Sequence, residues 1–142
     1  MRASPVSNKL CRKAIESRLA TWAAARVPAL PVAWENVPFT PPPGAYLRAY
    51  LMPANTTGID LAGAGRTYRG VYQISVVAPI NAGPGAAEGI ADELAALFPL
   101  NLRVAVTGLT LQVITPVTAA QGAQDTTDFT VPVSFQYRAD TI

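Results

Sequence analysis

Residues 67–99 read TYRGVYQISVVAPINAGPGAAEGIADELAALFP, and this stretch decides the fold. From Tyr68 to Ala78, Tyr68, Gly70, Tyr72, Ile74, Val76 and Ala78 fall on one face. Arg69, Val71, Gln73, Ser75 and Val77 fall on the other. A period of two in β-branched and aromatic residues predicts a long strand. Asn81-Ala-Gly-Pro84 predicts a corner, and Pro84 suits a first helical position because its missing N–H would lack a partner there anyway. Ala87, Ile90, Ala91, Leu94, Leu97 and Phe98 then recur at helical spacing until Pro99 ends the run, so one side of this helix must be buried. A strand and a helix joined so closely pack on each other, and further strands must complete the sheet.

Upstream of this unit, residues 1–7 read as a loose lead-in, and Ser7 or Asn8 can cap a helix running to about Ala25. Cys11, Ile15, Leu19 and Trp22 share one face of that helix with Ala14 beside them, and Arg18 falls in the middle of the stripe. Its stem can pack while its guanidinium reaches the edge, or its charge can meet a carboxylate of another element or subunit. Arg12 and Glu16 read as an ordinary surface pair. Val32-Ala-Trp34 predicts a short strand. Residues 35–44 form a loop whose Pro41-Pro-Pro43 is a stiff connector that cannot enter a sheet interior. Tyr46 to Met52 alternates again, setting Leu47, Ala49 and Leu51 against Tyr46, Arg48, Tyr50 and Met52. Residues 53–67 are small and polar and read as a long loop.

Downstream, residues 102–107 predict an irregular strand, residues 109–115 a better one, and residues 117–128 a second long polar loop. The closing strand, Phe129 to Arg138, alternates most cleanly: Phe129, Val131, Val133, Phe135 and Tyr137 against Thr130, Pro132, Ser134, Gln136 and Arg138. Pro132 removes a ladder donor, which predicts that this strand lies at an edge or a bulge. The whole predicts one α+β domain over residues 1–142. Its sheet is mixed or mainly antiparallel, of about five strands, with both helices packed on one face.

Half of the 142 residues are hydrophobic, 14% are charged and the net charge is +2, so neither a disordered chain nor a basic nucleic-acid binder is expected. The charge is segregated. Arg2, Lys9, Arg12, Lys13, Arg18 and Arg26 lie in the first 26 positions, whereas Glu88, Asp92 and Glu93 share the second helix with no base. That pattern fits two solvated faces of opposite sign or complementary subunit surfaces. No apolar run approaches a membrane span, and no signal peptide is expected because an apolar h-region is lacking. The single Cys11 excludes an internal disulfide, so synthesis in an intracellular compartment is expected. With no histidine, histidine-based triads and the usual zinc sites are gone. Gly63-x-Gly65 lacks the rest of a nucleotide fingerprint. Asp125 and Asp128 match no calcium loop. No catalytic, cofactor-binding or metal-binding residues are expected, which leaves an assembly protein or a binding module.

The blocks KAIESRLATWAAA, PVAWENVPFTPPPGAYLRAYLMPA, RTYRGVYQISVVAPINAGPGAAEGIADELAALFP and FTVPVSFQYRAD extend the reading. In order and over nearly the whole chain they resemble the phage tail terminator group, proteins similar to minor tail protein U of lambda-like phages. The resemblance implies a homohexameric ring that caps the tail tube, halts its polymerisation and offers a surface to the head. Its partners would be further copies of itself, the tail tube protein and a head-completion or connector protein. It implies no cofactor, no membrane and no specific nucleic acid, with a place in the bacterial host cytoplasm during assembly and then at the neck end of the virion tail. Another neck or tail-completion protein is the alternative reading, and a stand-alone small-ligand-binding domain a more distant one. Candidate contact residues are Arg12, Lys13 and Arg18 of the first helix and Arg69, Gln73, Gln136 and Arg138 of the polar sheet face.

Overall fold

The computed structural model describes residues 8–58, 65–80, 84–106 and 108–141. In chain order the elements are α1 (Asn8–Ala25), β1 (Val32–Ala33), β2 (Tyr46–Gly58), β3 (Arg66–Pro79), α2 (Pro84–Leu97), β4 (Arg103–Val106), β5 (Leu109–Val113), β6 (Thr118–Ala119), β7 (Ala123–Gln124) and β8 (Asp128–Thr141). The strands form one eight-stranded sheet in the order β1-β2-β3-β8-β5-β4, with β6 and β7 also paired to β8. β1 runs parallel to β2 and every other pairing is antiparallel. The fold is α+β, as the sequence predicts, with more strands than the expected five or so.

The core is built in rows across the pleat. Tyr72 of β3 sits between Leu51 of β2 and Phe135 of β8, Ile74 between Ala49 and Val133, and Val76 between Leu47 and Val131. α1 lays Cys11, Ala14, Ile15, Leu19 and Ala23 on this surface, and α2 lays Ala87, Ile90, Ala91 and Leu94 on it. All of these belong to one buried cluster, so both helices cover the same sheet face. Phe98, just past α2, stacks on Phe135 at 4.8 Å, and Phe135 lies 6.1 Å from Tyr72. Each large side chain buried this way contributes about 1.5–3 kcal/mol. Trp22 is only half-buried at the rim of the cluster, and Ala23 takes the central place instead.

Three expectations change. Residues 53–58 are not loop but the continuation of β2, with a bulge between Pro53 and Thr56 that lets Thr56 pair with Tyr68. β3 opens at Arg66, and residues 59–64 of the expected loop lie outside the described residues. Within residues 117–128, β6 and β7 attach to β8 through Thr118↔Ser134 and Ala123↔Thr130, and the Asp125 amide donates to the Asp128 carbonyl at 2.9 Å. Lastly, β8 is not an edge strand but lies between β3 and β5. The Pro132 carbonyl accepts from the Ala120 amide at 2.8 Å, so the proline's missing N–H points to the same side, where β6 has ended and β7 has not begun. The ladder to β3 loses nothing.

The far face of the sheet is not uniformly polar. Tyr46 and Val77 are buried there beside Ser75, and the ring of Phe39 packs against Tyr46 with centroids 5.2 Å apart. The proline-rich connector 35–44 is thus folded back on one end of this face. β4 and β5 pair up to Val106↔Leu109, and Gly108, just before β5, takes φ 85°. That left-handed backbone suits glycine.

At the middle of the sheet Gly70 faces Tyr137, and a Cβ at Gly70 would lie 2.5 Å from the Tyr137 hydroxyl and 2.7 Å from the Met52 carbonyl oxygen. Backbone cannot yield cheaply there. Gly70→Ala should therefore destabilise by about 1–3 kcal/mol. The Tyr137 hydroxyl is itself buried with no hydrogen-bond partner among the described residues. Tyr137→Phe should accordingly leave stability unchanged or raise it, since it removes an unsatisfied group. Urea melts of both variants at neutral pH check the pair. A large loss in Tyr137→Phe would show that the hydroxyl is bonded after all.

Candidate assembly surfaces

The basic first helix spends much of its charge inside the chain. Arg12 does more than pair with Glu16: its guanidinium reaches Glu16 at 3.2 Å and Glu35 at 2.8 Å. Glu16 also accepts from the Tyr72 hydroxyl at 2.8 Å, and Glu35 accepts from the Leu51 amide at 2.7 Å. The chain of contacts therefore ties α1 to the β1–β2 connector, to β2 and to β3. Leu51 lies beyond the end of β1, where the outer edge of β2 lacks a strand, so Glu35 supplies the acceptor that β1 cannot. Burial alone would raise the Glu35 pKa, but the Leu51 amide and Arg12 outweigh it, and the carboxyl is held below its ordinary value of 4.5. The Tyr72 hydroxyl is pushed up by burial and by its carboxylate neighbour. No periodicity in the sequence marks Glu35 for this place.

Arg26 joins the helices. It meets Glu93 of α2 through two bonds of 2.8 and 2.9 Å, and these lower the Glu93 pKa. The pair is partly exposed, so it contributes at most about 1 kcal/mol. Arg18 meets no carboxylate among the described residues: its Nε donates to the Leu97 carbonyl at 2.8 Å, satisfying the C-terminal end of α2. Opposite charges on the two helices thus meet in part within one chain. Lys13 stays exposed on the outer side of α1. Arg12 and Arg18, expected as contact residues, are both engaged by the fold.

The remaining four candidates come together. Arg69 pairs in register with Arg138, Val71 with Gln136, and Gln73 with Ser134, all on the sheet face away from the helices. β5 and β4 extend the row, because Gln112 stands opposite Arg138 and Arg103 opposite Gln112. Arg69, Gln136, Arg138 and Arg103 are exposed, and Gln73 is half-buried. Arg138 meets Asp140 at 3.2 Å, and Thr67 donates to the same carboxylate at 2.7 Å. Sequence reading misses Arg103, because only the β4–β5–β8 register brings it into line with residues far away in the chain. At the opposite end of this face Arg48 lies over the Tyr46 ring, 5.6 Å from its centroid, and donates to the Tyr46 hydroxyl at 3.0 Å.

Chemically reactive groups are few. Burial pushes the Cys11 thiol up to about 11, where it is a poor nucleophile at neutral pH. Asp125 caps a turn, accepting from the amides of Thr127 at 2.8 Å and Asp128 at 2.7 Å, and these bonds lower its pKa. Among the described residues no three metal-ligating side chains cluster, and no helix is long and apolar enough to cross a membrane.

This is a two-layer α+β protein whose long-stranded sheet presents a partly polar face opposite its helices. A family model described as phage tail terminator protein matches residues 10–137. The chain belongs to that family, and its role is a structural one in the phage tail. A solved structure 52% identical to it superposes with a TM-score of 0.82, covering 94% of this chain and 96% of that one. No curated protein matches the sequence.

Two outcomes follow from this geometry. Cys11 should resist alkylation at neutral pH in the folded protein and react fully once urea unfolds it, as mass spectrometry would show. Rapid labelling of the native protein would contradict the burial. The second concerns acid. Glu35 and Glu93 titrate lower folded than unfolded, so their stabilisation is present above about pH 4.5 and disappears as pH falls through the lowered folded values. With no histidine side chain, the melting temperature should stay nearly flat from pH 5.5 to 8 and drop below 4.5. Glu35→Gln should make that acid drop shallower, which calorimetry across the range would measure.

Proposed function

We propose that the protein is a terminator in the full sense: copies close into a ring on the tip of the tail tube, stop its growth and offer a surface for joining the head. The observation that carries this reading is the wet sheet face of a tail structural protein. Arg69, Gln73, Gln136 and Arg138 stand together there without any demand from the core. A closed ring repeats one contact head-to-tail, so each copy must present two different, complementary surfaces. A standard specific contact buries about 1,600 Å² in total. Lys13, on the opposite layer of the subunit, is a further contact residue in this reading.

Assembly can be conditional. A subunit that is monomeric alone closes into a ring only where tube contacts offset the cost of ordering it. The test is deletion of the gene from its phage followed by electron microscopy of the lysate. Tails of uncontrolled length without attached heads are the expected result. Normal-length tails without heads would favour another neck or tail-completion protein instead. Normal-length tails joined to heads would end the proposal.

A further inference from the structure

The arginine row is a costly arrangement for an isolated subunit. Arg69 and Arg138 are directly opposite in neighbouring strands, and like charges in that position repel. Arg138 is partly neutralised by Asp140, whereas neither Arg69 nor Arg103 meets a carboxylate among the described residues. With strands about 4.8 Å apart, the row from Arg69 through Arg138 and Gln112 to Arg103 spans about 14 Å. Nothing in the core asks for it.

The counter-charge exists on the helix layer of the same chain. Glu88 and Asp92 are exposed on the side of α2 away from α1, and unlike Glu93 they meet no cation among the described residues. They form one wall of an open groove of about 440 Å³ between α2 and residues 119–122. Besides Gln121 its remaining lining is small or apolar, with Ala91, Ala119, Ala120, Gly122 and Val131. An arginine suits such a place, because its methylene stem can lie on the alanines while its guanidinium reaches the carboxylates. The groove and the arginine row lie on opposite layers of the subunit, so one chain cannot bring its own together.

We propose that the groove receives the arginine row of a second copy, Arg69 and Arg103 reaching Glu88 and Asp92. The contact is heterologous and repeats around a ring, so this inference rests on the ring reading and names the surfaces that close it. Gly89 and Ala96 on the outer side of α2 leave the neighbour's sheet room to approach.

The test exchanges charges on each face separately. Arg69→Glu/Arg103→Glu makes both faces acidic, and Glu88→Arg/Asp92→Arg makes both basic. Oligomers are followed by light scattering and native mass spectrometry, alone and on purified tail tubes, with melting curves to verify folding. Each variant alone should bind its like at least about tenfold more weakly at low salt, an effect that fades as salt screens the charges. An equimolar mixture of the two variants should assemble again, because every acidic sheet face then meets a basic groove. Failure of the mixture to assemble, or an effect of one variant without the other, would overturn the pairing while leaving the ring. Wild-type protein that stays monomeric even on tubes would overturn both the ring and this contact.

Discussion

The antiparallel ladder between β3 and β8 is the constraint on which the rest of the structure depends. It runs unbroken from Thr67↔Asp140 to Pro79↔Asp128, joining two segments that lie far apart in the chain. One face of the ladder carries Tyr72, Ile74, Val76, Val131, Val133 and Phe135, which only a helix layer can keep from water. The other elements attach to one flank or the other: β2 beside β3, and β5, β6 and β7 beside β8. A slip of one residue would send the aromatic core to the wet face and the arginines inward. The fit of Gly70 beneath Tyr137 helps to hold the register.

Charge is divided between two uses. On α1 and just past its end, Arg12 reaches the β1–β2 connector while Arg18 and Arg26 both reach α2, so much of the basic character of the amino-terminal segment fastens the helix layer. Arg12 has the widest reach, since Glu35 also closes the exposed edge of β2. The arginines of the sheet do the opposite. Arg69 and Arg103 fasten nothing among the described residues, and Arg69 stands against a like charge. Residues that oppose the stability of a lone subunit are understandable when the working state contains a neighbour.

Proline use follows the same division. The prolines of the connector cannot enter the sheet, and the loop they stiffen lays Phe39 on Tyr46, covering one end of the face that would otherwise be wet throughout. Pro132 sits inside a central strand at no cost to β3, because the flanking ladder is interrupted opposite its missing donor. Exposed polar side chains are thereby concentrated at the end that carries Arg69, Gln136 and Arg138, with Arg48 the exposed charge beside Tyr46 at the other.

Local pattern was enough to specify the two helices, the alternation of β2, β3 and β8, the α+β class and the side of each strand that faces the core. These depend on a period of 2.0 or 3.6 residues, which any short window displays. The candidate polar face was legible for the same reason: Arg69, Gln73, Gln136 and Arg138 are simply the out-of-phase residues. Other features needed the tertiary structure. The bulge at Pro53 continues β2 through residues whose small, polar character reads as loop. The centrality of β8 depends on what pairs with it, which its own sequence does not record. Glu35 becomes a structural acceptor only because the chain ends β1 short of Leu51. Arg103 joins Arg69 and Arg138 only through two strand registers, and the partner of Glu93, Arg26, lies 67 residues away in the chain. Periodicity is a local property, whereas register, edges and charge partners are relations between segments that meet only when the chain has folded.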